Sequence, residues 1–202
     1  MRKKVKMSDL KSFLQNKLCN IISSWCEDDI YAISFFVSYN ESYQYDGYSN
    51  LTEFSVSYNT ERDCAGADEL SEKRWNYAFW RQNEVPIIEY NSKNEGAKIL
   101  FDWYEKNNIK NIGYEDYSSC YDRDMNYIGK GPVGFFELLS EITAIAKNLQ
   151  DSGFIRNKFG KAIPIIIHDL EYAWYVIDAT KEANPNGEAD IFLKAIKLLN
   201  II

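Results

Sequence analysis

Histidine is nearly absent from this 202-residue chain, which contains only His168. Cysteine is also scarce: four cysteines stand at positions 19, 26, 64 and 120, and no two of them form a CxxC pair. A single histidine and isolated cysteines exclude a zinc finger. We therefore expect four reduced structural thiols. Cys19 and Cys26 lie seven residues apart, and we expect both to be buried on one face of a helix.

The chain also lacks an excess of positive charge and a long apolar run. Its 23 lysines and arginines are outnumbered by 30 aspartates and glutamates, which gives a net charge of −7. Binding of nucleic acid requires a positive surface, so we do not expect it. No segment approaches the roughly 18–20 apolar residues of a membrane-spanning helix, and the basic start MRKKVK is too short for a signal peptide. We expect a flexible basic tail over residues 1–7, a cytoplasmic location and no membrane partner.

Familiar catalytic motifs are missing as well. The sequence contains no glycine-rich phosphate loop, no GxSxG nucleophile elbow and no zincin helix. This favours a protein that is not an enzyme and has no catalytic residue, metal ligand or cofactor.

One segment offers an alternative. In IPIIIHDLEY, residues 163–172, His168 is followed by Asp169 and Glu171. These three residues suggest a metal or acid–base centre, and thus a small metal-dependent enzyme or metal binder. The structural interpretation is that a buried strand ends at Ile167, that Asp169 caps the next helix and that Glu171 lies in its first turn. We favour the structural interpretation, because no second histidine completes a zinc shell and no nucleophile is identified.

The chain is rich in apolar and aromatic side chains, which form 46% and 15% of its residues, and 15 residues are tyrosines. Their spacing follows helical periods in some segments and strand periods in others. We predict an α+β fold, in which a small antiparallel or mixed sheet packs against several helices, as one domain over residues 8–202. Helices are predicted over 8–26, 93–107, 132–153, 170–183 and 188–200 and strands over 30–39, 51–60 and within 161–169, while 60–90 stays open.

Residues 111–131, which we call the acidic loop, have no regular period and contain many acids and tyrosines. One interpretation is an exposed docking surface for a basic protein, on which carboxylates steer the partner and tyrosines anchor it. The alternative is a solvated loop whose tyrosines, including Tyr127, lie at the edge of the core. The candidate partner-binding residues are Tyr114, Glu115, Asp116, Tyr117, Tyr121, Asp122 and Asp124.

Three weaker patterns have structural alternatives that we favour. Asp122, Asp124 and Asn126 alternate as in a calcium loop, but the glycine and the final glutamate of that motif are missing. The segment YQYDGY, residues 43–48, suits a binding tip but also an ordinary hairpin turn. The segment RWNYAFW, residues 74–80, would form a cation–π or ligand site, but buried tryptophans are the simpler interpretation.

Several of these segments resemble a known family. The segments PIIIHDLEY, ATKEANP, YAISFFVSYN, SVSYNTE and RWNYAFW are similar to motifs of the bacterial family of unknown function DUF4303, over about residues 8–200. The resemblance implies a small acidic protein without established enzymatic activity, of the kind found beside bacterial polymorphic toxins. It supplies no catalytic residues. We therefore expect a non-catalytic, immunity-type protein whose partner is a cognate basic toxin, such as a nuclease.

Overall fold

The main sheet is built around one strand that is buried along most of its length. The structure, a computed structural model, describes residues 9–39, 44–45, 48–49, 52–89, 93–170 and 172–199. The strands within them are β1 (Ile30–Tyr39), β2 (Gln44–Tyr45), β3 (Tyr48–Ser49), β4 (Thr52–Thr60), β5 (Val85–Ile88) and β6 (Ile165–His168). β1 pairs antiparallel with β4 and parallel with β6, and β4 pairs antiparallel with β5, so the strand order is β5-β4-β1-β6. β2 and β3 form a separate antiparallel pair.

Helices cover both faces of the main sheet to different extents. They are α1 (Leu10–Ser24), α2 (Glu72–Trp75), α3 (Glu95–Lys106), α4 (Phe135–Asp151), α5 (Phe154–Phe159), α6 (Trp174–Ala183) and α7 (Asp190–Leu198). On one face, Ile33, Phe35 and Val37 of β1 join a large core with α1, α3, α4 and α6. Because side chains alternate along a strand, Ala32 faces the other way and joins a smaller core with α7 and the segment 75–80. The predicted α+β fold with a mixed sheet is confirmed.

The free edge of β6 is closed by the polar side chains of Thr180 in α6 and of Asn184, which caps the C-terminus of that helix. The amide and carbonyl of Ile165 bond to the Asn184 side chain at 2.9 and 2.8 Å, and those of Ile167 bond to Thr180 Oγ1 at 2.9 and 3.1 Å. All four residues are buried. Backbone groups at a buried edge need such partners, because an unpaired amide away from water is strongly destabilising. α6 is therefore fixed in register against the strand.

Several expected boundaries shift. α1 ends at Ser24, so Cys26 lies beyond it and is exposed, while Cys19 is half-buried; the expectation that both are buried on one helix face is wrong. All four cysteines are free thiols. α4 begins at Phe135 rather than at Pro132, because Gly134 at φ +97° caps it and its amide donates to Glu137 Oε2 at 2.7 Å.

Residues 64–80, within the segment for which the sequence predicts no structure, pack as an aromatic cover over the smaller core. Trp75 and Trp80 are buried, as the structural interpretation of RWNYAFW predicts. Their indole N–H groups donate to the carbonyls of Glu69 at 2.6 Å and Arg74 at 2.8 Å. A buried indole needs such an acceptor. These tryptophans are part of the smaller core, and the cation–π contact is present as well, since Arg74 Cζ lies 5.5 Å from the centroid of the Trp75 ring.

The predicted tail over residues 1–7 lies outside the described residues, as do residues 43, 46 and 47 of the YQYDGY segment. In the part of the chain that is described, no helix combines the length and apolarity needed to cross a bilayer.

Candidate functional site: an aromatic surface and its cleft

Most of the large apolar side chains left exposed in the described residues lie in two segments, 114–128 and 170–174. We call them the aromatic surface: Tyr114, Tyr117, Tyr121, Met125, Ile128, Leu170 and Trp174. The two segments are joined, since Trp174 Nε1 donates to the carbonyl of Gly129 at 3.0 Å. Apolar side chains scattered singly are ordinary, whereas a cluster of them marks an interaction site.

The acidic loop is folded on itself rather than fully extended into solvent. Glu115 Oε1 accepts hydrogen bonds from the hydroxyl of Tyr127 and, at 3.2 Å, from the thiol of Cys120. The same Tyr127 hydroxyl accepts from the amide of Gly131 at 2.7 Å. Tyr121 and Tyr127 form a backbone bridge, and their rings lie 5.5 Å apart. Cys120 is buried, and this burial, followed by the bond to Glu115, raises the pKa of its thiol.

Three of the four predicted docking acids have structural bonds within the loop. Glu115 holds Tyr127, as described. Asp116 Oδ1 accepts from the amide and hydroxyl of Ser118 at 3.2 and 2.6 Å, and these bonds lower its pKa. Asp122 accepts from the Asn126 amide at 2.9 Å and the Asp124 amide at 2.8 Å, and the bonds from Asn126 lower its pKa. Asp116 and Asp122 therefore stay ionised and shape the loop at the same time.

Asp124 is different from the other three acids. Its side chain is exposed, and within the described residues its carboxylate has no hydrogen bond or ion pair. Tyr114 and Tyr117, which are 62% and 59% exposed, lie on the same loop. Asp124, Tyr114 and Tyr117 are thus predicted site residues whose side chains are exposed on the loop.

Two side chains of the aromatic surface sit on strained backbone. Met125 has φ +64° and Leu170 has φ +80°, and their side chains are 74% and 65% exposed. The left-handed region costs an L-residue other than glycine or asparagine about 1–2 kcal/mol. Such strain is concentrated at functional sites, and here it coincides with apolar side chains directed into solvent.

A cleft of about 800 Å³ opens between the acidic loop and the start of α6. Half of its lining residues are aromatic, namely Tyr39, Tyr121, Tyr127, Tyr172, Trp174 and Tyr175, and the others are Leu170, Asn76, Ala173, Ile177, Asp178 and Lys181. The cleft belongs to the aromatic surface, because Tyr121, Leu170 and Trp174 are part of both. Concave sites with aromatic walls and few polar groups are the usual form of binding pockets.

Carboxylates hold two of the rings that line the cleft. The hydroxyl of Tyr127 donates to Glu115, and that of Tyr175 donates to Asp169. Burial, followed by these carboxylates, raises the pKa of both phenols. One of the residues lining the cleft, Lys181, is a cation. Its Nζ lies 2.9 Å from Asp178 Oδ1 in an exposed ion pair.

His168 is fully buried, at the end of β6. Its Nε2 lies 2.7 Å from Ser34 Oγ, a distance that would suit a nucleophile and its base. Both side chains are fully buried, and the imidazole lies 4.2 Å from the Tyr77 ring and 5.4 Å from the Phe36 ring, measured between centroids. Burial lowers the pKa of His168 to about 3, so the ring is neutral. No substrate reaches this pair in the arrangement seen.

The burial of His168 agrees with the structural interpretation, but two details of that interpretation are wrong. β6 continues through His168 instead of ending at Ile167. α6 begins only at Trp174, so Asp169 is not its cap and instead accepts the hydroxyl of Tyr175. An acid placed before an amphipathic segment is typical of a helix cap, but the Asp169 carboxylate binds the hydroxyl of Tyr175 instead of the helix N-terminus.

Neither predicted metal alternative gains a ligand set from the described residues. Among them, no group of three or more histidine, cysteine, aspartate or glutamate side chains is placed to hold an ion. Glu171, the third member of the His168 centre, lies outside the described residues. In the calcium-like pattern, the Asp122 carboxylate accepts hydrogen bonds from the backbone amide and the side chain of Asn126. These bonds stabilise a turn.

The cleft itself was not predicted from the sequence. Its walls come from the end of β1, from the acidic loop and from residues 170–181, which are far apart in the chain. The high tyrosine content of the acidic loop indicates a candidate binding surface, but in the sequence Trp174 and Tyr175 resemble ordinary helix residues.

Comparisons of the chain with protein-family models, curated proteins and solved structures found no match in any of the three. The resemblance to DUF4303 therefore stays a prediction, and no family is assigned.

Proposed function

We propose that this chain is a non-catalytic binding protein whose aromatic surface docks a basic protein partner. In the form that the DUF4303 resemblance implies, it is an immunity-type protein and the partner is a cognate toxin. The observation that carries the proposal is the concentration of exposed aromatic and apolar side chains in 114–128 and 170–174, around one cleft. Aromatic anchors surrounded by a polar rim are typical of protein interfaces.

Charge supports a basic partner. The acidic loop contributes Glu115, Asp116, Asp122 and Asp124 in the midst of the aromatic side chains, on a chain of net charge −7. Complementary charge accelerates encounter and selects against acidic partners. The acids that shape the loop keep their charge, since the pKa values of Asp116 and Asp122 are lowered.

Rigidity also supports the proposal. The loop is held by bonds to Glu115, Asp116 and Asp122, so little ordering remains to be done on binding. Preorganised surfaces bind more tightly because less conformational entropy is lost. The burial of Ser34 and His168 favours binding over catalysis.

The experiment compares two triple variants in capture from a lysate of the source organism, followed by binding kinetics with the captured protein. The test variant combines Tyr114→Ala, Tyr117→Ala and Asp124→Lys. We expect it to lose the partner, since it removes two exposed anchors and reverses the one unbonded acid of the loop.

The matched control combines Ile191→Ala, Leu198→Ala and Glu105→Lys, which changes two exposed apolar side chains and one exposed acid elsewhere. It should bind as the unmodified protein does. Equal binding by both variants would remove the aromatic surface from the proposal, and a partner with an acidic contact face would contradict its charge argument.

A further inference from the structure

We infer that the cleft is a receptor for a single cationic side chain, the guanidinium of an arginine presented by the partner. The inference rests on the proposed function and deepens it, because it assigns a chemical class to the group that enters the cleft. It depends on the ring-lined wall and on the carboxylates that hold those rings.

The first argument is the composition of the wall. Five tyrosines and one tryptophan line the cleft. The faces of aromatic rings are negative, and a guanidinium stacks on them while its edge donates hydrogen bonds. An arginine side chain is also long enough to bury its apolar stem against Leu170 and Ala173 at the rim.

The second argument is the polarisation of two of these rings. Tyr127 and Tyr175 donate their hydroxyls to Glu115 and Asp169. A phenol that donates to a carboxylate has more electron density on its ring, and the carboxylate adds negative potential to the same wall. Both effects favour a cation over a neutral guest of equal shape.

The third argument concerns the cation already present. Lys181 reaches the cleft wall, but its ammonium is paired with Asp178 at 2.9 Å. The pair is exposed, so its two charges largely cancel and are screened by solvent. Glu115 and Asp169, which accept hydrogen bonds from two rings of the wall, add negative potential to the cleft.

The experiment uses N-acetyl-arginine amide as the probe and the isosteric, neutral N-acetyl-citrulline amide as its control. The indole N–H of Trp174, assigned in the NMR spectrum by its loss in Trp174→Phe, reports on the cleft. We expect a saturable shift of this resonance with the arginine probe at millimolar concentration, and at least about tenfold weaker binding of citrulline.

A double variant tests the carboxylates directly. Glu115→Gln with Asp169→Asn retains an acceptor for each tyrosine but removes both charges, and we expect it to bind the arginine probe about three- to tenfold more weakly. Asp124→Asn removes one charge from the loop outside the cleft wall and should change the affinity little. An unchanged thermal melting curve verifies that the double variant is folded.

Three results would overturn the inference: equal binding of citrulline and arginine, no shift with arginine up to ~50 mM, or unaltered affinity in the double variant. These outcomes are separable from failure of the proposed function. If the partner is captured and the Tyr114, Tyr117 and Asp124 variant loses it while the arginine probe fails, the surface stands and only the cleft assignment falls.

Discussion

At the scale of single residues, His168 is a side chain whose protonation near neutral pH is changed by folding. It is fully buried, hydrogen-bonded to Ser34 and surrounded by aromatic rings, and its pKa falls from 6.5 to about 3. A buried neutral histidine makes the free energy of unfolding depend on pH, because below pH 6.5 the unfolded chain binds a proton at this residue and the folded chain does not. The group that raised the question of catalysis is therefore a determinant of acid stability.

The first prediction follows from this shift. Stability from the neutral ring is complete above pH 6.5 and is lost as the pH falls from 6.5 toward 3, since the folded-state pKa is the lower one. We expect the free energy of unfolding to fall by about 2 kcal/mol between pH 7 and pH 5. Chemical denaturation at a series of pH values measures it.

His168→Gln is the control, because it keeps a polar group for Ser34 and removes the only imidazole of the chain. In this variant the unfolding free energy should be nearly constant over the same pH interval. An equal slope with and without the histidine would show that other groups govern the acid response.

A second prediction concerns strain at Leu170. Its φ of +80° is unfavourable for leucine but tolerated by asparagine, and its exposed side chain contributes little to the core. We expect Leu170→Asn to raise the unfolding free energy by about 0.5–1 kcal/mol while weakening partner binding. Ile128→Asn, at another exposed apolar position of the same surface without positive φ, should weaken binding without the gain in stability. Destabilisation by Leu170→Asn would refute the strain argument.

At the scale of secondary-structure elements, the contact between β6 and α6 is the most specific one. Thr180 and Asn184 lie four residues apart and so face the strand together, where they satisfy four backbone groups. The Asn184 amide is further fixed by Gln150, which donates to its Oδ1 at 3.0 Å. This closed edge sets the position of α6, whose first residues form one wall of the cleft.

The third prediction tests this edge. Asn184→Leu and Thr180→Val each keep side-chain volume but leave buried amide and carbonyl groups of β6 without partners. We expect each to lower the unfolding free energy by about 2–4 kcal/mol. Glu182→Ala, on the exposed side of the same helix, should change it by no more than about 0.5 kcal/mol. If Asn184→Leu and Thr180→Val lower the unfolding free energy no more than Glu182→Ala does, the backbone groups at the edge of β6 have other hydrogen-bond partners.

Elements with a long, regular pattern were predictable from the sequence. β1 follows from its β-branched and aromatic residues and α3 from its helical period, and their boundaries agree within two residues. The sequence does not predict α5, because Gly153 indicates the end of a helix. In the structure, Gly153 and Gly160, both at positive φ, cap the two ends of this further short helix. The start of α6 was misplaced because the Asp169 carboxylate is used by Tyr175, a tertiary contact that no local pattern reveals.

The candidate site was predictable only in part. The acidic loop and its exposed tyrosines are a continuous segment, so composition alone selected them. The internal bonds of Glu115, Asp116 and Asp122 depend on the three-dimensional turn, and the cleft depends on packing between segments that are far apart in the chain. These features depend on contacts between residues that are distant in the chain, and local sequence patterns do not indicate such contacts.

At the scale of the whole molecule, shape and charge act together. The sheet and its helices hold the acidic loop and the start of α6 side by side, and Trp174 joins them through Gly129. The aromatic surface lies on a protein of net charge −7, which attracts a basic partner over a distance of about one Debye length, ~8–10 Å in physiological salt. Long-range attraction and short-range aromatic contact therefore favour the same class of partner.

The fourth prediction concerns the kinetics of that encounter. Asp124→Lys alone should slow association with the captured partner several-fold at low salt and reduce the dependence of the association rate on ionic strength, because rim charges act mainly on encounter. Dissociation should change less. Glu105→Lys, an equal charge reversal on α3, should have a smaller effect on association, and equal effects would indicate that only net charge matters.

The most direct test of the central claim is the binding of the captured partner to the variant Tyr114→Ala, Tyr117→Ala, Asp124→Lys, measured beside its control Ile191→Ala, Leu198→Ala, Glu105→Lys. The proposed docking surface predicts loss of affinity by at least about a hundredfold in the first variant and unchanged affinity in the second. Equal affinities of the two variants would contradict it and place the interface elsewhere on the molecule.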